Sequence, residues 1–224
     1  MNLIVSLSIF LLIGSQLAVA STAPPVQTGE GNAFYSSVPS AYMDDPRRIE
    51  WQKPEKVIEH LLLKQGDKVA DIGAGTGFFS MLFARKVGKD GLVYAVDIDE
   101  NMVKHIGKRA KKEGLNNVLP ILAPSDNPLL PKLSADLIFI CDTYLFFNNR
   151  EQYLSRLRES LKNDGRLAIV SFNTRSEVPG APPTHKMISR DQTVLEAYRA
   201  GFYLAAEFFF LPYHDFLVFE KRKE

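Results

Sequence analysis

Cysteine is almost missing from this chain of 224 residues, with a single one at position 141. A lone cysteine excludes an intramolecular disulfide framework. It closes the apolar run DLIFIC, where an inert buried thiol is the expected state. Histidine is scarce too. The four at positions 60, 105, 185 and 214 show no ligand spacing such as His-x-x-x-His, so no metal site is expected. Excess charge of one sign is also lacking: the net charge of +1 leaves no broad basic face for nucleic acid. The locally basic stretch Lys104 to Lys112 falls on an expected surface helix and reads as a solvated face. Repeats and low-complexity segments are absent. What remains, 46% hydrophobic and 24% charged residues, is the composition of one soluble catalytic-sized domain.

The first twenty residues stand apart. An apolar stretch from Leu3 to Ile13 is followed by polar residues and then Ala18-Val19-Ala20, the layout of a secretory signal peptide cleaved after Ala20. A basic n-region is missing apart from the α-amino group. The alternative is an uncleaved membrane anchor through residues 3–20, close to the ~18-residue lower edge for a span. Either way the protein is expected outside the cytoplasm, periplasmic, secreted or anchored. Residues 21–40, rich in Pro, Gly, Ser and Thr, read as a flexible tether. Residues 41–224 form the domain.

Within that domain, one run carries the chemistry. Val69 to Ser80 reads VADIGAGTGFFS, a hydrophobic strand entering a glycine turn and then an apolar helix from about Thr76. Glycines at 73, 75 and 77 let a ligand approach the backbone closely, and free amides at a helix start face a polar or anionic group. A second strand, Leu92 to Val96, ends in Asp97, placed to accept hydrogen bonds from ribose hydroxyls. This is a nucleoside-cofactor pattern. A dinucleotide fingerprint requires Gly-x-Gly-x-x-Gly, yet Phe78 holds the third glycine's place. Asp71 also aims an acid at the pocket, an unfavourable neighbour for a pyrophosphate and a suitable one for an ammonium or sulfonium.

Asp71-x-Gly73-Ala74-Gly75-x-Gly77 with the downstream Asp97 resembles the class I S-adenosylmethionine-dependent methyltransferases. The resemblance covers roughly residues 50 to 222 and includes LKNDGRLAIV, Leu161 to Val170. It implies S-adenosyl-L-methionine as cofactor, with Asp71 near the methionine amino end, Asp97 on the ribose and Ile98 against the adenine. The third strand ends in Ala123-Pro124-Ser125-Asp126, where relatives often place an acid on the adenine amino group. Asp126 is therefore either that acid or an Asx turn before Pro128. At the end of the fourth strand, where this fold commonly meets the acceptor, Asp142 and Tyr144 are the acceptor-side candidates. His185, in the Pro-rich GAPPTHKM, is a third candidate base or a surface histidine with no role.

Coarse periodicity gives strands near 68–72, 92–97, 118–123, 135–141 and 166–172, with helices near 55–63, 76–87, 99–113 and 149–162. Strands at 203–211 and 215–221 close the chain. The expected fold is a doubly wound, mostly parallel seven-stranded sheet ending in an antiparallel hairpin.

A narrower resemblance is to signal-bearing bacterial methyltransferases of undefined substrate, through Arg48-Ile49-Glu50-Trp51-Gln52-Lys53-Pro54 and Asp142-Thr143-Tyr144. In that branch two histidines follow; here Leu145 and Phe146 replace them. The resemblance implies methyl transfer to an unidentified, small-molecule acceptor. The alternatives are a catalytically impaired binding or interaction protein on the same fold, and a nicotinamide enzyme, which Asp71, Phe78 and the terminal hairpin disfavour. Trp51, with Tyr42 and Arg48, either lids the cofactor or fills the core.

Overall fold

The computed structural model describes residues 43–174 and 186–223. The leader, the tether, Tyr42 and His185 lie outside the described residues. In chain order the elements are α1 (Arg48–Gln52), α2 (Pro54–His60), β1 (Lys68–Ile72), α3 (Phe78–Val87), β2 (Leu92–Asp97), α4 (Glu100–Lys112) and β3 (Val118–Leu122). They continue with β4 (Ala135–Cys141), α5 (Arg150–Ser160), β5 (Leu161–Phe172), α6 (Arg190–Arg199), β6 (Phe202–Phe208) and β7 (His214–Lys221). The seven strands form one sheet in the order β3-β2-β1-β4-β5-β7-β6. Its pairs β3-β2-β1-β4-β5 are parallel, and β7 runs antiparallel between β5 and β6.

Strand alternation builds two cores. In β4, Leu137 and Phe139 face α2 and α3, where Phe139 meets Phe79 at 4.8 Å and Phe83 at 5.0 Å between ring centres. Ile138 and Ile140 face the opposite layer with Leu154 and Leu157 of α5 and Ala197 of α6. Both faces of each central strand are thus buried, which is why these segments read as continuous apolar runs. Among the described residues, no helix is long and apolar enough to cross a membrane.

Three boundaries differ from expectation. The helix after the glycine turn begins at Phe78, because Gly77 adopts φ +78° as its N-cap. A Cβ at Gly77 would also press on Ile106 and Met81, at 3.1 and 3.2 Å. β5 starts at Leu161 rather than near 166, since Leu161 pairs with Ala135 ahead of an irregularity that Gly165 occupies. Finally, α6 was not expected, although Ser189 caps it by accepting from the amide of Gln192. That cap was the available signal.

The hairpin also differs. Its strands are Phe202–Phe208 and His214–Lys221, so His214 is the first residue of a strand and not part of the link.

Candidate active site

The order of strands reverses between β1 and β4, and ligands of open α/β sheets bind outside the carboxyl ends of the strands at such a reversal. The glycine turn, Asp97 and Asp142 all lie there. The amides of Gly73 and Ala74 donate to Val96 O at 2.8 and 3.0 Å, tying the turn to β2. Asp97 is buried. One carboxylate oxygen accepts from the amide of Gly75 at 2.8 Å and the other from the amide of Asp99 at 2.9 Å. Burial still pushes its pKa up, against backbone bonds from Asp99, Gly75 and Ile98. A carboxylate is an acceptor-only group and suits a pair of hydroxyls.

Asp71 is buried at the end of β1 and accepts from Ser80 Oγ at 2.6 Å. Burial, opposed by that bond and reinforced by the charge of Asp97, raises its pKa to about 7. A cation beside it would restore the ionised form. This is the fit expected of an ammonium-bearing cofactor, and Arg48 of α1 is the positive charge already nearby.

A pocket beside these acids is lined by Gly73, Asp97, Ile98, Ser125, Phe146 and Tyr153, among others. Ile98 is half-exposed there, as an adenine-facing side chain should be. Asp126 is a correction: its side chain is 72% exposed and 4.0 Å from Arg156, and Ser125 takes the pocket wall instead. The Asx-type bond of this loop is made by Asn127, whose Oδ1 accepts from the amide of Leu129 at 3.0 Å.

Tyr144 is a second correction. It is fully buried in the core under α6, and its hydroxyl donates to Glu196 Oε2 at 2.6 Å. Arg150 grips the same carboxylate with two bonds of 2.8 Å, and Gln192 donates to it at 2.9 Å. Burial and Glu196 push the phenol far above its ordinary range, so it is neither a base nor within reach of an acceptor. Tyr144→Phe should cost about 1 kcal/mol of stability and leave S-adenosylhomocysteine affinity unchanged; a denaturant midpoint and a calorimetric titration check both. Loss of affinity would return Tyr144 to the site.

Asp142 lies just past the end of β4, at the carboxyl edge of the sheet. It adopts φ +55°, uncommon for a residue with a side chain, and its amide donates to Val170 O at 2.9 Å. Gln52 of α1 donates to its Oδ2 at 3.1 Å and approaches Cys141 Sγ at 3.1 Å. Burial holds the Cys141 thiol well above its ordinary pKa, so it is inert as expected. Trp51 stacks on His214 with ring centres 5.4 Å apart and planes 2° from parallel. Phe146 lines the same pocket as Asp97 and Ile98. Sequence reasoning missed His214, Ser80, Ser125 and Tyr153. Strand order assembles His214, Ser125 and Tyr153, whereas Ser80 lies nine residues from Asp71 in the same strand-turn-helix run.

A sheet of this order, with an acid before a glycine turn and a second acid closing β2, defines the class of S-adenosylmethionine-dependent methyltransferases. Residues 63–207 match the family described as Methyltransferase domain. The chain belongs to that family. It is 32% identical over 119 residues to aklanonic acid methyltransferase DauC of Streptomyces sp. (strain C5), covering 53% of this chain and 54% of that protein. It is 33% identical over 121 residues to the ubiquinone/menaquinone biosynthesis C-methyltransferase UbiE of Blochmanniella pennsylvanica, covering 53% and 46%. The chain thus spans about half the length of the curated relatives it matches. A crystal structure of a SAM dependent methyltransferase from Aquifex aeolicus superposes with a TM-score of 0.76 at 28% identity, covering 86% of this chain and 98% of that one.

Proposed function

We propose that this domain transfers a methyl group from S-adenosylmethionine to a small-molecule acceptor. The observation that carries the reading is the pair of buried acids flanking the glycine turn: Asp71, beside the strand switch, and Asp97, held by the amides of Gly75 and Asp99. Bound there, the cofactor supplies an electrophilic methyl group on a sulfonium. Asp71 would hold its ammonium, Asp97 its ribose, and Ile98, Phe146 and Tyr153 would flank its adenine. The chain's contribution is orientation and exclusion of water, with a base on the acceptor side. The names of DauC and UbiE support a small-molecule acceptor, as does the lack of a basic face.

Calorimetric titration of the full chain with S-adenosylmethionine, S-adenosylhomocysteine and NAD tests this. Micromolar binding of the first two and none of NAD is expected. Affinity should fall as pH drops below about 7, where Asp71 takes up a proton, and Asp71→Asn should abolish that dependence. The sign for the unliganded protein is opposite. With a folded pKa of about 7 against 3.8 for an exposed aspartate, the folded state keeps a proton the unfolded chain loses, so stability declines as pH rises between those values. Binding of NAD, or of none of the three, would overturn the reading.

A further inference from the structure

His214 belongs to no motif of the chain, yet the sheet brings it to the acceptor end of the site. Cys141 pairs with Val170 and Phe172 with His214, so the end of β4 and the start of β7 lie at the same edge, either side of β5. There His214 Nε2 is 3.1 Å from Asp142 Oδ1. The approach is off-line, and Asp142 Oδ1 and both ring nitrogens of His214 are buried without a hydrogen-bond partner among the described residues. Buried polar atoms are nearly always satisfied, and leaving one unpaired costs about 1–3 kcal/mol. Three such atoms in one place mark a spot built for a proton or a ligand.

The surroundings hold this geometry. The ring of His214 is stacked under Trp51 and lies 4.4 Å from Phe172, between ring centres. Gln52 fixes the other carboxylate oxygen of Asp142, and the left-handed backbone of Asp142 is strain of the kind that persists at functional sites. Exposure assigns the roles: the Asp142 side chain is 23% exposed and that of His214 is 0%. Asp142 faces the site and His214 stands behind it.

We infer that His214 is the positioning partner of Asp142 and that the two take up the proton released by the methyl acceptor, which is therefore an O–H, N–H or acidic C–H group. This rests on the methyl-transfer reading above. The acceptor's electron pair forms the bond to the methyl carbon, and the carbon–sulfur pair stays on sulfur. The acceptor's proton passes to Asp142, so the pair gains one proton and one unit of positive charge. Other ionisable groups around the pair are Arg48 from α1, Asp71 from β1 and Cys141 from β4.

Trp51 is the only tryptophan of the chain, so its emission reports on the imidazole stacked against it. Wild-type emission should differ from that of His214→Gln and of Asp142→Asn, since each variant removes part of the pair that Trp51 covers. Sinefungin, which carries an amine-bearing carbon in place of the methylated sulfur, probes the methyl-transfer position. Asp142→Asn should weaken sinefungin roughly tenfold, the loss of one charge-assisted bond, and His214→Gln several-fold. S-adenosylhomocysteine should change by less than about threefold in either variant. Bound sinefungin should also change the wild-type emission while S-adenosylhomocysteine leaves it in place, an arm that needs no variant to fold. A wild-type emission unmoved by sinefungin, an emission unchanged in His214→Gln, or equal losses for both ligands would overturn the inference. Failure of S-adenosylhomocysteine itself to bind would instead sink the methyl-transfer reading, since the emission of the unliganded protein still reports the pair.

Discussion

Replacing Asp97 by alanine is expected to weaken S-adenosylmethionine binding by about 2–3 kcal/mol, roughly 30- to 150-fold in Kd. Two losses combine. On the proposed reading the carboxylate accepts from the ribose, and it also anchors the turn through the amides of Gly75 and Asp99. Without it, those amides lose their partners and the turn its fixed shape. Asp97→Asn keeps the size and one acceptor oxygen, and should fall between wild type and alanine. Calorimetry with S-adenosylhomocysteine reads the series. An alanine variant that binds within about twofold of wild type would remove Asp97 from the ribose site.

The second large effect is at Gly73. Its φ is +71°, and a Cβ built there would stand 2.3 Å from Thr143 Cγ2 and 2.7 Å from Thr143 Cβ. Gly73→Ala should therefore cost about 2–5 kcal/mol of stability, from roughly 1–2 for the left-handed backbone and roughly 1–3 for the overlap. Thr143 is no passive neighbour. Its hydroxyl donates to Cys141 O at 3.0 Å and to Gly73 O at 3.3 Å, bracing the ends of β4 and β1 against each other. Combining Gly73→Ala with Thr143→Gly should recover the overlap part and not the backbone part. Denaturant midpoints of the two singles and the double give the coupling. Strict additivity would show that Thr143 is not the obstacle.

How much of this was legible in the residues follows from where each signal resides. β1, β2 and β4 run over the expected residues because their apolar runs and flanking turns are local. Asp71, Gly73, Gly75, Gly77 and Asp97 were legible because one strand-turn-helix and one strand end carry them all. Asp126 and Tyr144 were misplaced for a shared reason. Being near a strand end fixes a residue's height on the sheet but not the direction of its side chain. Asp126 points to solvent, while Ser125 faces the pocket. Tyr144 turns under α6 to Glu196, an acid of a helix that periodicity did not reveal.

The sequence by itself determined the class of fold, the cofactor chemistry and the two acids that flank the glycine turn. All of these rest on interactions between residues a few positions apart, or on alternation along single strands. Only the tertiary structure brought Gln52 and His214 to Asp142. Gln52, Asp142 and His214 are separated by long stretches of chain and share no pattern. They meet because β7 inserts antiparallel beside β5 and α1 lays Trp51 and Gln52 across the strand ends. Strand order and register are set by burial of the whole sheet between two helical layers, a property of all the strands together that no single segment encodes.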